Sequence, residues 1–484
     1  MVKKINITVL FLALIASPLL HAQNYFYKTY NGGLYDVGQG VCELPDQHYA
    51  VTGSTSSIEG SSQAFIMVID SVGNQIWTKG YGADGINWGR RIFHRPNEGF
   101  WMFGYSTAYG DGDFEFVVWK IDDDGALEWT ANFGTIGWDR LWDAVELVDG
   151  DFILVGETEG DNSQDKDVFM LRITDQGNVV WQNQLENEGD DIAYAITAYD
   201  DTTVIVVGEY FENDQNVGLL LNMHIDGTIN DQWTYDDEGP TTFLDVDVWN
   251  EEIFVCGRAN ITSPDYYNAV VLRLDTDYQI LNAEIGDTEG DDYGTNILVL
   301  GTSRVYWTLK TTAPLFNVFP GGWDAFIFKY HINMFFLGPT YPTSGVGDDE
   351  YHQLFATSDG GYIGVGFCSD DRVNESPGNN VMVVKVGPND ETQEVSDENE
   401  DFLEVFEVNS ISKTFTAYPN PMTEYIVIPE ELLNSELTIY NSIGKTIGHY
   451  QQGNKVYFDT AEAGLYFITF QFDQGKSTIK VIKK

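Results

Sequence analysis

The chain is poor in cysteine, in basic residues and in long apolar runs, and each shortage excludes something. Three cysteines in 484 residues, Cys42, Cys256 and Cys368, cannot staple a chain of this size, and none stands in a CxxC or Cys/His spacing that would hold zinc. Cys42 in GVCEL and Cys256 in IFVCG lie in apolar strand contexts, so both are expected to be small buried hydrophobes; a Cys42–Cys368 bridge is left open. Lys and Arg number 25 against 75 Asp and Glu, a formal net charge of −50. Such a surface repels nucleic acid and anionic membranes. Residues 23–414 carry the whole of this excess, so whatever meets them is expected to be neutral or cationic, metal ions included. Beyond the N-terminus, no apolar run approaches the roughly 18 residues of a membrane-spanning helix.

The N-terminus reads as an address. Lys3 and Lys4 precede the apolar run 5–16, and Leu20-His21-Ala22 ends in the small residue that signal peptidase requires. Residues 1–22 are expected to be a signal peptide cut between Ala22 and Gln23, leaving a soluble, exported chain with no transmembrane segment.

What is abundant is glycine, with 48 residues, and aromatics, at 14%, a composition suited to short strands joined by tight turns. The order is periodic. Trp77, Trp129, Trp181 and Trp233 stand 52 residues apart, and Gly53, Gly104, Gly156, Gly208, Gly257 and Gly366 each close an apolar run such as FILVG. VYWTLK at 305–310 keeps the run without the glycine. The unit has four short strands and occurs seven times; its second and third strands are apolar throughout, as strands covered on both faces are. One four-stranded sheet cannot bury two faces, but a ring of such sheets buries each against the next. The last copy stops after VMVVKVGPND without a fourth strand, while YFYKTYNGG at 25–33 is an orphan fourth strand that would pair with 381–387. The expected fold is all-β, with a seven-bladed β-propeller over 23–388 closed by the N-terminal strand.

Asp36, Asn87, Asp139, Asp191 and Asp349 each stand 17 residues before a repeat glycine. Their expected role is structural: side-chain oxygens accepting backbone N–H bonds in Asx-turns fix the loop into the inner strand. The loops on that side, among them EGDNSQDKD and EGDDYG, predict a strongly acidic face bearing Tyr105, Tyr109, Tyr210, Tyr266, Tyr267, Phe316, Phe319 and Trp323. Catalytic signatures are absent: there is no H-E-x-x-H, G-x-S-x-G or P-loop, and His48, His94, His224, His331, His352 and His449 lack ligand spacing. No catalytic or cofactor-binding residue is assigned. A structural Ca²⁺ held by loop carboxylates is the one ion entertained, although the EF-loop register is missing.

DGGYIGVGF (359–367), DGDFILVGE (149–157) and DVFMLRITDQGNVVW (167–181) resemble the β-propeller repeats of secreted bacterial proteins, over about residues 24–388. That resemblance implies a fold and is nearly silent on activity. The G-x-x-x-W ending is also similar to that of quinoprotein dehydrogenases, but the threonine before the glycine is missing, and sialidase boxes space glycine and tryptophan more closely.

Residues 389–414 read as an acidic linker extended by self-repulsion, with FLEVFEV alternating enough to dock as a strand. Residues 415–484 form a separate unit of short strands, expected to be a small immunoglobulin-like β-sandwich. Its motifs are YPNP (Tyr418, Pro419, Asn420, Pro421), LTIYNSIGK with Gly444, AGLYFITF with Gly464 and Tyr466, and the basic end with Lys480, Lys483 and Lys484. In order and spacing they resemble the type A C-terminal sorting domain of the type IX secretion system. The resemblance implies Sec export, recognition of this domain by an outer-membrane translocon, and release or attachment at the cell surface. The function expected is an exported binding module for a glycan, a protein or a divalent cation. The alternative is an extracellular polysaccharide hydrolase or lyase using loop carboxylates as acid and base.

Overall fold

The computed structural model describes residues 25–392 apart from 58–61, 111–112, 136, 160–164, 237–238, 262–265, 289, 302, 314–321, 344–346 and 370–377, and, beyond these, 399–401, 406–407, 425–428, 436–441, 445–458, 464–472 and 475–483. Ala22, Gln23, Phe316, Phe319, Tyr418, Pro419, Asn420, Pro421, Gly444 and Lys484 lie outside the described residues.

The fold is all-β. Between residues 26 and 386 the strands form antiparallel four-stranded sheets that succeed one another along the chain. The third is typical, with Asp139–Glu146, Phe152–Thr158, Asp167–Ile173 and Val179–Leu185 in that spatial order. The last three strands, Asp349–Ala356, Tyr362–Cys368 and Asn380–Val386, take Phe26–Asn31 as their fourth. Phe26 stands opposite Lys385 and Tyr30 opposite Val381, the pairing expected from the sequence.

The repeat glycines have a steric cause. In six sheets the carbonyl just before the first-strand bulge, as that between Leu141 and Asp143, presses on the second strand at the repeat glycine; the sixth sheet has the bulge but carries Leu309 there. A Cβ on Gly156 would lie 2.0 Å from the Arg140 carbonyl oxygen, and one on Gly104 1.7 Å from that of Trp88. Only glycine tolerates that approach.

Second and third strands are buried on both faces, so the apolar cores lie between sheets rather than within them. Phe103 and Phe116 meet Leu154 and Phe169, and Val155 and Met170 meet Val206 and Leu221. Phe26, Val51 and Phe65 meet Ile363 and Val383, joining the first sheet to the last. The periodic tryptophans clamp each sheet to its successor. Trp77 packs edge-on to Phe100, Trp181 donates its indole N–H to the Ile225 carbonyl at 2.9 Å, and Trp233 stacks on Phe243. Cys42, Cys256 and Cys368 are buried in these cores without a disulfide, so the bridge left open between Cys42 and Cys368 is not formed.

The acidic segment after residue 388 departs from a free linker. Asn399–Asp401 runs parallel to Phe26–Asn31, and Phe406–Glu407, within FLEVFEV, runs parallel to Gln75–Tyr81. Both additions cover the outer edge of a sheet, where unpaired backbone groups would otherwise be exposed. The C-terminal unit consists of a three-stranded and a four-stranded sheet. Ile426 and Val456 of one pack against Ile439, Tyr466 and Ile468 of the other, with Gly464 at φ 157° starting the strand that bears Tyr466. No helix among the described residues is long and apolar enough to cross a membrane.

Candidate functional site

Two kinds of position govern the end of each sheet where the first strand begins. The first is the periodic Asp or Asn. Asp139 is fully buried and accepts the Thr135 backbone N–H at 2.6 Å and its hydroxyl at 3.0 Å; Asp292 does the same for Thr288 at 2.7 and 2.8 Å. Asp36 accepts the Gly32 N–H at 2.7 Å and the Thr55 hydroxyl at 2.5 Å. The bond runs back four residues, not forward as in an Asx-turn, and so ties the incoming loop to the strand. Burial pushes the Asp36 carboxyl up, and that of Asp191 up to about 7. These residues are structural, as expected.

The second position lies three residues on, at the bulge itself. Gln39, Arg90, Trp142, Tyr194, Leu244, Thr295 and His352 occupy it. Bulging turns these side chains toward the neighbouring first strands. Arg90 Nη1 donates to Gln39 Oε1 at 2.6 Å, and its guanidinium lies 4.3 Å from the Trp142 ring centre. Trp142 and Tyr194 are 5.2 Å apart, and His352 Nδ1 meets the Gly38 carbonyl at 2.7 Å. Burial holds the His352 imidazole below its usual value and pushes the Tyr194 phenol well above its own, so neutral pH finds a neutral imidazole and a protonated phenol.

Just beyond the bulges, toward the loops, cations alternate with rings. Arg140 lies 4.9 Å from the centres of both Phe114 and Trp138 and 3.2 Å from Glu157; Trp142 Nε1 donates to Glu157 at 3.3 Å. Arg258 lies 4.8 Å from Tyr267 and 4.9 Å from Tyr293, and Lys310 sits 4.8 Å from Trp323 and 2.5 Å from Glu350. The inner part of the face expected to be acidic also carries four cations, Arg90, Arg140, Arg258 and Lys310. Tyr105, Tyr267 and Trp323 belong to this belt, and Tyr266 is exposed. Tyr109 is not presented at all; it is buried and accepts the Trp119 indole N–H at 3.2 Å.

The histidines are less scattered than their sequence positions imply. His48 and His94 line one cleft of about 340 Å³ at the opposite end of the first two sheets, with Trp77, Phe100 and Asp123. His94 Nε2 meets Asp123 at 2.7 Å. Among the described residues no three His, Cys, Asp or Glu side chains converge as metal ligands.

The C-terminal unit is decided by comparison. Residues 416–484 match the secretion system C-terminal sorting domain. The protein is therefore one that type IX secretion releases or attaches at the cell surface. The sorting domain is its address for that machinery. No curated protein matches the chain. Solved structures similar to it have propeller-like folds. They include the polysaccharide lyase Uly1 (9% identity, 77% of this chain and 94% of that chain, TM-score 0.45). Sqt1 from Chaetomium thermophilum is 11% identical over 75% of this chain and 100% of that chain, with a TM-score of 0.43. The β-propeller domain of the Trilobed protease from Pyrococcus furiosus is 8% identical over 74% of this chain and 93% of that chain, with a TM-score of 0.42.

Proposed function

We propose that the protein is an exported binding module. Its body is a seven-bladed β-propeller closed by the N-terminal strand, and its ligand is a glycan taken where the first strands converge. One device supports the ring: a side chain just past the bulge accepts an N–H from the next first strand. Asp143 takes Ile196 N at 3.0 Å and Asp245 takes Ile297 N at 2.8 Å. Gln353 of the last sheet takes Val41 N of the first at 2.7 Å, repeating the device across the seam.

The observation that carries the glycan reading is the belt of half-buried rings interleaved with hydrogen-bonding ions. Aromatic faces suit the C–H face of a sugar, and fixed polar groups at their edges suit its hydroxyls. The test is a glycan array probed with the chain from residue 23 and with its Trp142→Ala variant. Retention that the substitution weakens, without turnover, supports the module. Cleavage of a polysaccharide that Glu157→Gln or Glu209→Gln abolishes replaces it with the hydrolase or lyase reading.

A further inference from the structure

The arginines of the propeller divide into two classes. Of the eight described, six have a carboxylate oxygen 2.5–3.7 Å away, from Arg91 on Asp143 to Arg304 on Asp390. That is the expected outcome in a chain with 75 acidic residues. Arg90 and Arg258 are the other two. Arg90 is held by the Gln39 amide and the Trp142 ring, Arg258 by the rings of Tyr267 and Tyr293. In each, Nε is buried and finds no hydrogen-bond partner. Carboxylates near them are engaged elsewhere: Glu209 by Tyr194 at 3.4 Å and Thr242 at 2.7 Å, Glu350 by Lys310 at 2.5 Å.

A half-buried guanidinium with no carboxylate in direct contact is costly, and aromatic stacking recovers only part of the lost solvation. Both exceptions stand in the candidate site, and they flank its rings. Arg90 covers Trp142, Trp142 lies 5.2 Å from Tyr194, and Tyr194 shares the Glu209 carboxylate with Thr242, which stands opposite Arg258 across the strand pair. The row runs cation, ring, ring, cation. A planar guanidinium with no carboxylate in ion-pair contact is matched to an oxyanion, which it can grip with two parallel bonds.

We propose that this row recognises an acidic glycan, a polymer bearing carboxylate or sulfate-ester groups, with Arg90 and Arg258 each taking one oxyanion and Trp142 and Tyr194 the sugar between them. The inference rests on the glycan-binding reading and names its ligand class. It also reverses the expectation of a neutral or cationic partner, because net charge acts over the whole molecule and recognition acts at contact. At 0.15 M salt the Debye length is about 8 Å, so the remote carboxylates are largely screened.

The test is calorimetric titration of the chain from residue 23, at 0.15 M salt, with three probes of matched length: oligogalacturonate, dextran sulfate and neutral dextran. At least one acidic probe should bind tenfold or more tighter than dextran, and which one does so distinguishes carboxylate from sulfate ester. Arg90→Gln and Arg258→Gln should each weaken that binding about tenfold. Arg258→Lys, which keeps the charge and loses the fork, should fall between. Melting curves of each variant guard against loss of fold, and Arg258→Gln serves if Arg90→Gln unfolds. Equal binding of dextran, or acidic binding indifferent to both arginines, overturns this inference and leaves the glycan module standing. Failure of all three probes also overturns it, and the glycan array then judges the broader reading separately.

Discussion

Two sets of positions three residues apart, the loop carboxylates and the bulge residues, share one stretch of every first strand and have opposite histories of use. At the first, Asp36, Asp139, Asp191, Asp292 and Asp349 repeat one buried residue, with Asn87 and Thr241 in the other two sheets, and Asp36, Asp139, Asp191 and Asp292 accept backbone N–H groups of adjoining segments. At the second, Gln39, Arg90, Trp142, Tyr194, Leu244, Thr295 and His352 are all different. A framework position faces a similar local problem in each sheet, and Asp answers it in most of them. A bulge residue faces different neighbours in each sheet, so nothing forces uniformity, and specificity is free to reside there.

This contrast predicts unequal effects. Trp181→Ala removes a plate between two sheets and should destabilise by about 3–5 kcal/mol in chemical denaturation. Gly156→Ala, which places a Cβ 2.0 Å from the Arg140 carbonyl, should cost about 2–3 kcal/mol; an unchanged denaturation midpoint would remove the steric account of the repeat glycine. Asp139→Ala strands the Thr135 donors, and a loss of about 1–2 kcal/mol is expected. Trp142→Ala should do the reverse, costing about 1 kcal/mol of stability but tenfold or more in glycan affinity. If instead it unfolds the protein and spares binding, the division between framework and bulge positions fails.

A further effect depends on pH. Burial pushes the Asp245 carboxyl up to about 7 and that of Asp247 up to about 6, against about 3.9 for an unfolded aspartate. Between those values the folded chain keeps protons that the unfolded chain has lost. Their contribution to stability is complete below about pH 4 and gone above about pH 7. The melting temperature should fall as pH rises through this window, and Asp245→Asn should flatten the decline.

Much of the framework was legible because it is periodic. The 52-residue tryptophan spacing marked the clamps, and the orphan strand at 25–33 marked its partner at 381–387. The loop carboxylates were legible as structural, although the bond back to residue i−4 was not, since spacing shows where a side chain recurs and not which donor it meets. The site was hidden for the opposite reason. Its residues lie 50–57 apart and share no chemistry, so no motif connects them. Bulk composition misled too: a net charge of −50 gave no sign that Arg90, Arg140, Arg258 and Lys310 would gather at one end.

What the sequence alone determined is the repeat, the all-β class and the destination, because apolar alternation, turn residues and the motifs of 415–484 are local and readable in order. What the tertiary structure decided is which unlike side chains become neighbours. Arg90, Trp142 and Tyr194 meet only because successive sheets pack face to face, and the bulge in each first strand then turns one residue of each toward the others.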